Sequence, residues 1–555
     1  MGLHRCVKRL PLLALIAITI PALWSAQASD EFSSGDKLRT LYSNHFSFTD
    51  DGLPQITVEI MGGQKSVVVA GREGLALMPD GEGGAHLSGS NQWTLSLEKG
   101  RAAKTREWII MSRFAADDSV SAEIAVAKWK RKGRKTKSFE IGTIFAVAGE
   151  VLDTREVLVG IDPVAAGKGL AKSRQYSERY GVNATVHTEL VRRPSGTIVA
   201  RSGTIEVRNP SVIWFTSRKD GGTVEVKNVL TGGGGSQVGR QRQNRRYFGS
   251  VYVTVGKDGK LAVVNAVAAD ALLSGLVPSE MFPDSPMDAL RAQSIAARTE
   301  LLQKLGVRHF GDPFLLCSSQ HCQVYSGAGH EHPRTTKAVT TTRGQVMVTK
   351  EQKLVDARYS ATCGGHSEHN EVVWGGDPDA SLRGKLDGLV NSKFKKGITD
   401  RNISAFLAQG EGAFCAKTKW SKTRYRWTAR VNAADLSKHV AKKFPGVGYL
   451  QSMHPMHRGI SGRITKLRLD GDKGSAVVEG ELVIRRLLGG LRSSLFTSKA
   501  LGPKDRPTTF EIHGGGFGHG VGMCQLGAIG RATQGQTASE ILSHYYKNIT
   551  LHRLY

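Results

Sequence analysis

Short apolar runs separated by turn residues are the feature that most restricts what this chain can fold into. Between residues 30 and 230, short apolar runs, most with Val or Ile, recur at 55–60, 65–70, 93–97, 141–151, 205–207 and 212–216. Runs of that length and composition predict strands, so this region is expected to be β-rich. The chain's 65 glycines in 555 residues supply the turns such a pattern needs. A 40% hydrophobic share excludes a wholly disordered or fibrous chain. Within the region, residues 162–180 are expected to hold a helix, and the basic run 128–137 reads as a solvated hairpin tip. No internal repeat is visible.

The first 28 residues read as a secretory signal. Arg5, Lys8 and Arg9 precede an uncharged, mostly apolar run, and Ala26-Gln27-Ala28 supplies a small-x-small cleavage site. A membrane anchor would need about 20 apolar residues, and Asp30 and Glu31 close the run early. The expectation is an exported protein, in the periplasm, cell wall or outside the cell, cleaved after Ala28. Export turns the formal charge of +27 away from nucleic acid and toward an anionic polymer. The surplus is also spread out, with 35 basic and 24 acidic residues in 1–246 against 41 and 25 in 247–555. Five cysteines follow the signal, too few and too odd in number for a disulfide scaffold.

Residues 231–246 combine a glycine run with Arg240, Arg242, Arg245 and Arg246, and are expected to be a linker. Beyond it, 247–255 and 261–264 read as a hairpin around Lys257-Asp258-Gly259. A short helix over 266–273 should stop at Gly275. A longer one should begin with Ser285 as N-cap and Pro286 in the first turn, bury one face, and end at Gly306. Small residues at Ala292, Ser294, Ala296 and Ala297 would let another backbone approach. Glu280 is thereby placed in a loop flanked by Val277, Pro278, Met281, Phe282 and Pro283. Apolar flanks desolvate a carboxyl, raise its pKa and keep it protonated for general-acid work.

Other constellations bear chemistry. His309, Cys317, His321 and Cys322 lie close enough for a tetrahedral zinc site, although a Cys317–Cys322 disulfide suits an exported protein equally. Cys363 enters a glycine turn beside His366, a conceivable nucleophile and base. Glycines at 514–516, 518, 520 and 522 mark either a tight strand-to-helix turn or a groove floor where His519 and Gln525 bond a polymer. Residues 417–430 mix six basic side chains with Trp420, Tyr425 and Trp427, as either a sugar-stacking patch or an amphipathic strand.

Several stretches together resemble the SpoIID/LytB family, stage II sporulation protein D and the amidase enhancers. They are LVPSEMFPDSPMDALRAQSIAART (276–299), CSSQHCQVYSG (317–327), YSATCGGHSE (359–368), SGRITKLRL (461–469), LRSSLF (491–496) and GFGHGVGMCQLGAIGRATQGQTASEILSHYYKNITL (516–551). The resemblance covers about 247–555. It implies an α+β fold, a mixed helix/strand catalytic domain preceded by the β-rich region of unplaced role.

The resemblance further implies a peptidoglycan-acting protein: a lytic transglycosylase on glycan strands stripped of stem peptides, or an enhancer of a cell-wall amidase. Glu280 takes the position of the family's catalytic acid, with Gln293, Arg298, Gln323, Tyr325, His519 and Gln525 lining the groove. No cofactor is implied for the chemistry, and a structural zinc is implied for His309, Cys317, His321 and Cys322. Cys524 departs from the commoner Ser, which makes a substrate contact there doubtful and leaves pairing with Cys363 as an alternative.

Overall fold

The computed structural model describes residues 41–42, 47–49, 52–79, 86–88, 90–147, 150–231, 241–319, 322, 325–388, 394–409 and 412–555. The expected signal peptide, His321 and Gln323 lie outside these residues, as do 232–240 of the expected linker. Both helices and strands are abundant, and the N-terminal region is strand-rich, as its apolar runs predict.

Two sheets face one another around the largest core. One has eight described strands. Pro54–Gln64, Leu261–Ala268, Ser250–Val255, Val212–Ser217 and Leu75–Met78 run side by side within it, and Leu316–Cys317 adds in parallel to Pro54–Gln64. The other orders Ile205–Asn209, Ser195–Ser202, Gln92–Arg101, Ser66–Ala70, Val224–Thr231 and Gln241–Tyr247. Val67, Val69, Trp93 and Leu95 from the second sheet meet Val251, Val253 and Val263 from the first in a single cluster. The strand Ser250–Val255 is buried throughout. Its odd residues join that cluster, while Tyr252 packs outward with Trp214 and Phe314. A strand covered on both faces is apolar on both, which is why Val-rich runs occur here without polar alternation.

The segment 231–246 does not divide one sheet from the next. Gln241–Tyr247, expected as linker, is a strand antiparallel to Val224–Thr231, and strands from either side of it share the eight-stranded sheet. Glycine and arginine content marked a chain reversal, and composition does not distinguish a reversal within a sheet from a break between domains.

Residues 104–192 form a smaller α/β unit. Four strands, ordered Thr185–Arg192, Lys104–Ala115, Glu156–Ala165 and Thr136–Ile141, carry the helices Ser119–Arg131 and Gly169–Tyr180. This is the split β-α-β arrangement made of two similar halves, which the sequence alone does not reveal. The helix expected in 162–180 is therefore present. The basic run 128–137 is not a hairpin tip: it closes a helix, placing Lys128, Lys130 and Arg131 in the last turn, where the helix dipole favours cations.

The helix Met287–Gln303 is the axis of the C-terminal half. It touches the helices Ala269–Glu280, Pro333–Thr341, Gln525–Thr533 and Ala538–Tyr545 and the strand Gln345–Thr349. With neighbours all round, it buries nearly every residue from Ala289 to Leu302 rather than the single face expected. The small residues at 292–297 make that close packing possible. Ser285 does not cap it. Its hydroxyl is buried without a hydrogen-bond partner, and Pro286 occupies the cap position.

The shared sheet makes a prediction. A fragment comprising residues 247–555 lacks the strands Pro54–Gln64 and Val212–Ser217 that flank Ser250–Val255 and Leu261–Ala268. It should bind 1-anilinonaphthalene-8-sulfonate strongly and melt without cooperativity by circular dichroism. A cooperative, dye-silent fragment would show that the half folds alone.

Candidate active-site cavity

Glu280 is the last residue of the helix Ala269–Glu280, not a loop residue. Gly275, the expected stop, and Pro278 both lie inside this helix. A Cβ at Gly275 would sit 3.0 Å from the Gly327 carbonyl oxygen, so glycine serves close approach here. Pro278 falls in the final turn, where a missing N–H removes a single hydrogen bond. Burial of Leu272, Leu273, Leu276 and Val277 holds the helix against both.

The half-buried Glu280 side chain opens on a cavity of about 300 Å³ lined by Met281, Phe282, Ala361, Arg424, Phe517 and Gln525, among others. Phe282 stacks flat on Trp420 at 4.4 Å, and the Arg424 guanidinium lies 5.4 Å above the Phe282 ring. Burial pushes the Glu280 pKa up to about 7, with the nearby Glu300 carboxylate adding to it and a Gln525 hydrogen bond opposing it. A carboxylate at a helix C-terminus is also on the wrong end of the dipole. Glu300 itself is held by Lys304 Nζ at 2.5 Å and hydrogen-bonded to Tyr359. Two carboxyls from neighbouring helices thus differ in character: one protonated near neutrality, the other salt-bridged.

Gln525 and Gln293 join Glu280. Gln525 Nε2 donates to the Glu280 carbonyl oxygen at 3.0 Å and to Gln293 Oε1 at 3.2 Å. The other expected groove residues stand elsewhere. Arg298 is fully buried and bonds the carbonyls of Val339, Thr342 and Gln345 and the Asp270 carboxylate. Tyr325 is buried and its hydroxyl donates to Asn265 Oδ1 at 3.0 Å. His519 packs on Trp374 at 4.9 Å, outside the cavity lining, and burial with Arg358 and Arg463 nearby lowers its pKa to about 3. Of the 417–430 patch, Arg424 lines the cavity and Trp420 stacks on the lining residue Phe282. Tyr425 and Trp427 are core, the latter donating to the Gly516 carbonyl at 2.8 Å. The glycine cluster is a tight turn rather than a groove floor: added Cβ atoms at Gly514 and Gly520 would strike the Trp427 ring and the Arg463 guanidinium.

Residues 257–348 match the family model described as Stage II sporulation protein, and 368–522 match a domain of unknown function, DUF8618. Over residues 257–348 the chain is similar to the SpoIID family. An uncharacterized protein of Brachyspira hyodysenteriae is 28% identical over 305 residues, spanning 55% of this chain and 72% of its own length. Stage II sporulation protein D of Bacillus amyloliquefaciens is 26% identical over 305 residues, 52% of this chain and 75% of its own. The amidase enhancer of Bacillus subtilis is 25% identical over 292 residues, 50% of this chain and 40% of its own. Glu280 and Gln293 fall in the stretch matched to the SpoIID family, and so does a second cluster.

That cluster joins His309, Cys317 and Cys322. The two sulfurs lie 2.9 Å apart and His309 Nε2 is 3.1 Å from Cys322 Sγ. His309 Nδ1 meets Asp312 Oδ2 at 3.1 Å, the usual outer partner of a metal-ligating imidazole. Its backbone is held at φ 53°, in the left-handed region. Two thiols and an oriented imidazole are zinc-type donors, although sulfurs 2.9 Å apart stand closer than the about 3.8 Å of a zinc tetrahedron. Lys304 ties the cluster to the cavity, since its Nζ donates to both the Cys322 carbonyl and Glu300. Cys363, by contrast, is fully buried, and His366 beside it turns Nδ1 to the Ser367 carbonyl, so no substrate reaches a thiol there. Among the described residues no helix is long and apolar enough to cross a membrane.

Two outcomes follow for the C-terminal half. Arg298→Met strands three carbonyls and Asp270, and should cost about 3–5 kcal/mol in urea unfolding. Glu280 binds its proton more tightly folded than unfolded, so its contribution to stability is present below about pH 4.5 and lost as pH rises toward 7. Glu280→Gln should therefore gain melting temperature over the parent as pH goes from 5 to 8. A constant difference would mean an unshifted carboxyl.

Proposed function

We propose that this protein is an exported, wall-acting lytic transglycosylase that cleaves the MurNAc–GlcNAc bond of denuded glycan strands. The observation that carries the reading is a carboxyl, Glu280, whose pKa burial pushes up to about 7, at the end of a helix beside an aromatic-lined cavity. The names of the relatives, stage II sporulation protein D and amidase enhancer, support a wall-related role for this chain. The basic charge suits a polyanionic wall, to which screened attraction would hold it.

In the proposed step Glu280 gives its proton to the glycosidic oxygen as the C1–O bond breaks. The MurNAc C6 hydroxyl then attacks C1, forming the 1,6-anhydro ring, and its proton returns to Glu280. The carboxyl is restored and no water is consumed. A single carboxyl suffices because the nucleophile belongs to the substrate, unlike the paired carboxylates of glycoside hydrolases. The Phe282–Trp420 stack and Phe517 offer faces for sugar rings, and Arg424 a donor for the lactyl carboxylate. Gln525 orients Glu280 through its main chain. Zinc held by His309, Cys317 and Cys322, with His321 as the fourth donor, would be structural and would fix the loop that Lys304 contacts.

The test is digestion of denuded glycan, read by mass spectrometry for anhydro-MurNAc ends. Release should fall as pH rises through about 7, when Glu280 loses its proton. Glu280→Gln should lose at least about a hundredfold of rate. Full activity in that variant would remove Glu280 from the chemistry. Binding of sacculi with release only after an amidase is added would instead establish an enhancer, the reading favoured by the Bacillus subtilis relative's name.

A further inference from the structure

Three cysteines outside the His309 cluster converge on one carboxylate. Cys363 follows the strand Tyr359–Ser360, Asp387 lies in a loop, Cys415 is in the short helix Phe414–Ala416, and Cys524 precedes the helix Gln525–Thr533. Parallel pairing of Tyr359–Ser360 with Met523–Cys524 brings the first and last together. Their four donor atoms all lie within 4.8 Å of one another, and none of the four residues exceeds 1% exposure.

We propose that Cys363, Cys415, Cys524 and Asp387 form a closed structural zinc site beside the Glu280 cavity. Two of the six donor spacings match those of a tetrahedron. Zn–S bonds of about 2.3 Å and a Zn–O bond of about 2.1 Å put sulfurs about 3.8 Å apart, and sulfur about 3.6 Å from oxygen. Cys363 Sγ stands 3.8 Å from Cys415 Sγ and 3.7 Å from Asp387 Oδ2.

The surroundings are built for anionic donors. Asp387 Oδ1 is taken by Tyr545 Oη at 2.8 Å and Arg531 Nη2 at 2.9 Å, which leaves Oδ2 turned to the sulfurs. Cys524 Sγ accepts the amide N–H groups of Cys363 at 3.1 Å and Gly527 at 3.3 Å. Arg463 and Arg426 bond the carbonyls of Cys363 and Gly364, so three guanidiniums face a cluster that would carry three thiolates and a carboxylate. Soft thiolates with one oxygen in a closed four-donor set select zinc over magnesium or calcium. A disulfide would use two of the three sulfurs and leave the third with the carboxylate.

The consequence reaches the cavity. Ala361, Gln525 and Leu526 line it, each within two residues of a proposed ligand. Zinc would pin the start of the Gln525–Thr533 helix and with it the Gln525 amide that bonds Glu280.

The test uses the full chain with Cys317→Ser and Cys322→Ser, so that the His309 cluster holds no metal. After gel filtration, mass-spectrometric metal analysis should find one zinc per chain. Adding Asp387→Asn should weaken zinc retention against a chelator at least tenfold. Cobalt substitution should give thiolate charge-transfer and tetrahedral visible bands. A cooperatively folded, zinc-free chain would overturn the proposal, as would a disulfide between any two of Cys363, Cys415 and Cys524. Should the double variant fail to fold, alkylation of the parent chain decides. Chelator should speed modification of Cys363, Cys415 and Cys524 at least tenfold by peptide mapping, and an unchanged rate would overturn the site.

Discussion

The guanidinium of Arg298 is the contact on which the C-terminal half depends. It sits in the middle of the helix Met287–Gln303 and gathers the carbonyls that end the helix Pro333–Thr341 and start the following strand. Its remaining reach goes to Asp270, in the first turn of the helix that ends in Glu280. A buried cation is tolerated only when nearly every donor is satisfied. That requirement fixes three elements against one another. Glu280 stands about 15 Å further along the same helix, at 1.5 Å per residue, and inherits that placement.

From this frame come two carboxyls with opposite chemistry. Glu300 is neutralised by Lys304, while Glu280 has apolar neighbours, a like charge nearby and the unfavourable end of a helix dipole. Lys304 also reaches the Cys322 carbonyl, so the His309 cluster and Glu300 share one ammonium group. On the other side of the cavity, Gln525 carries the contact to Glu280 from a helix whose first residue follows Cys524.

Much of the cavity was legible from short-range features. Val277, Met281 and Phe282 announce a desolvated Glu280 whatever the local backbone does, because flanking residues share its surroundings. Its place at a helix end was not legible, since Gly275 and Pro278 are stop signals by intrinsic propensity and burial of Leu272, Leu273, Leu276 and Val277 overrides them. Ser285 has the composition of a cap without the geometry. Trp420 and Trp427 belong to one basic-aromatic run, yet one stacks on the cavity residue Phe282 and the other fills the core, and sequence alternation does not say which side faces solvent.

The sequence by itself determined the strand-rich beginning, the long small-residue helix, the acid in apolar company and the basic charge. These rest on neighbours within a few residues, and local spacing carries them. Only the tertiary structure decided that strands on both sides of 231–246 share a sheet, that Arg298 and Tyr325 are scaffold, and that Cys363, Cys415 and Cys524 meet Asp387. Those facts depend on which distant segments pair, as Tyr359–Ser360 does with Met523–Cys524. Long-range pairing is selected by burial of the whole core, a quantity no single stretch of sequence contains.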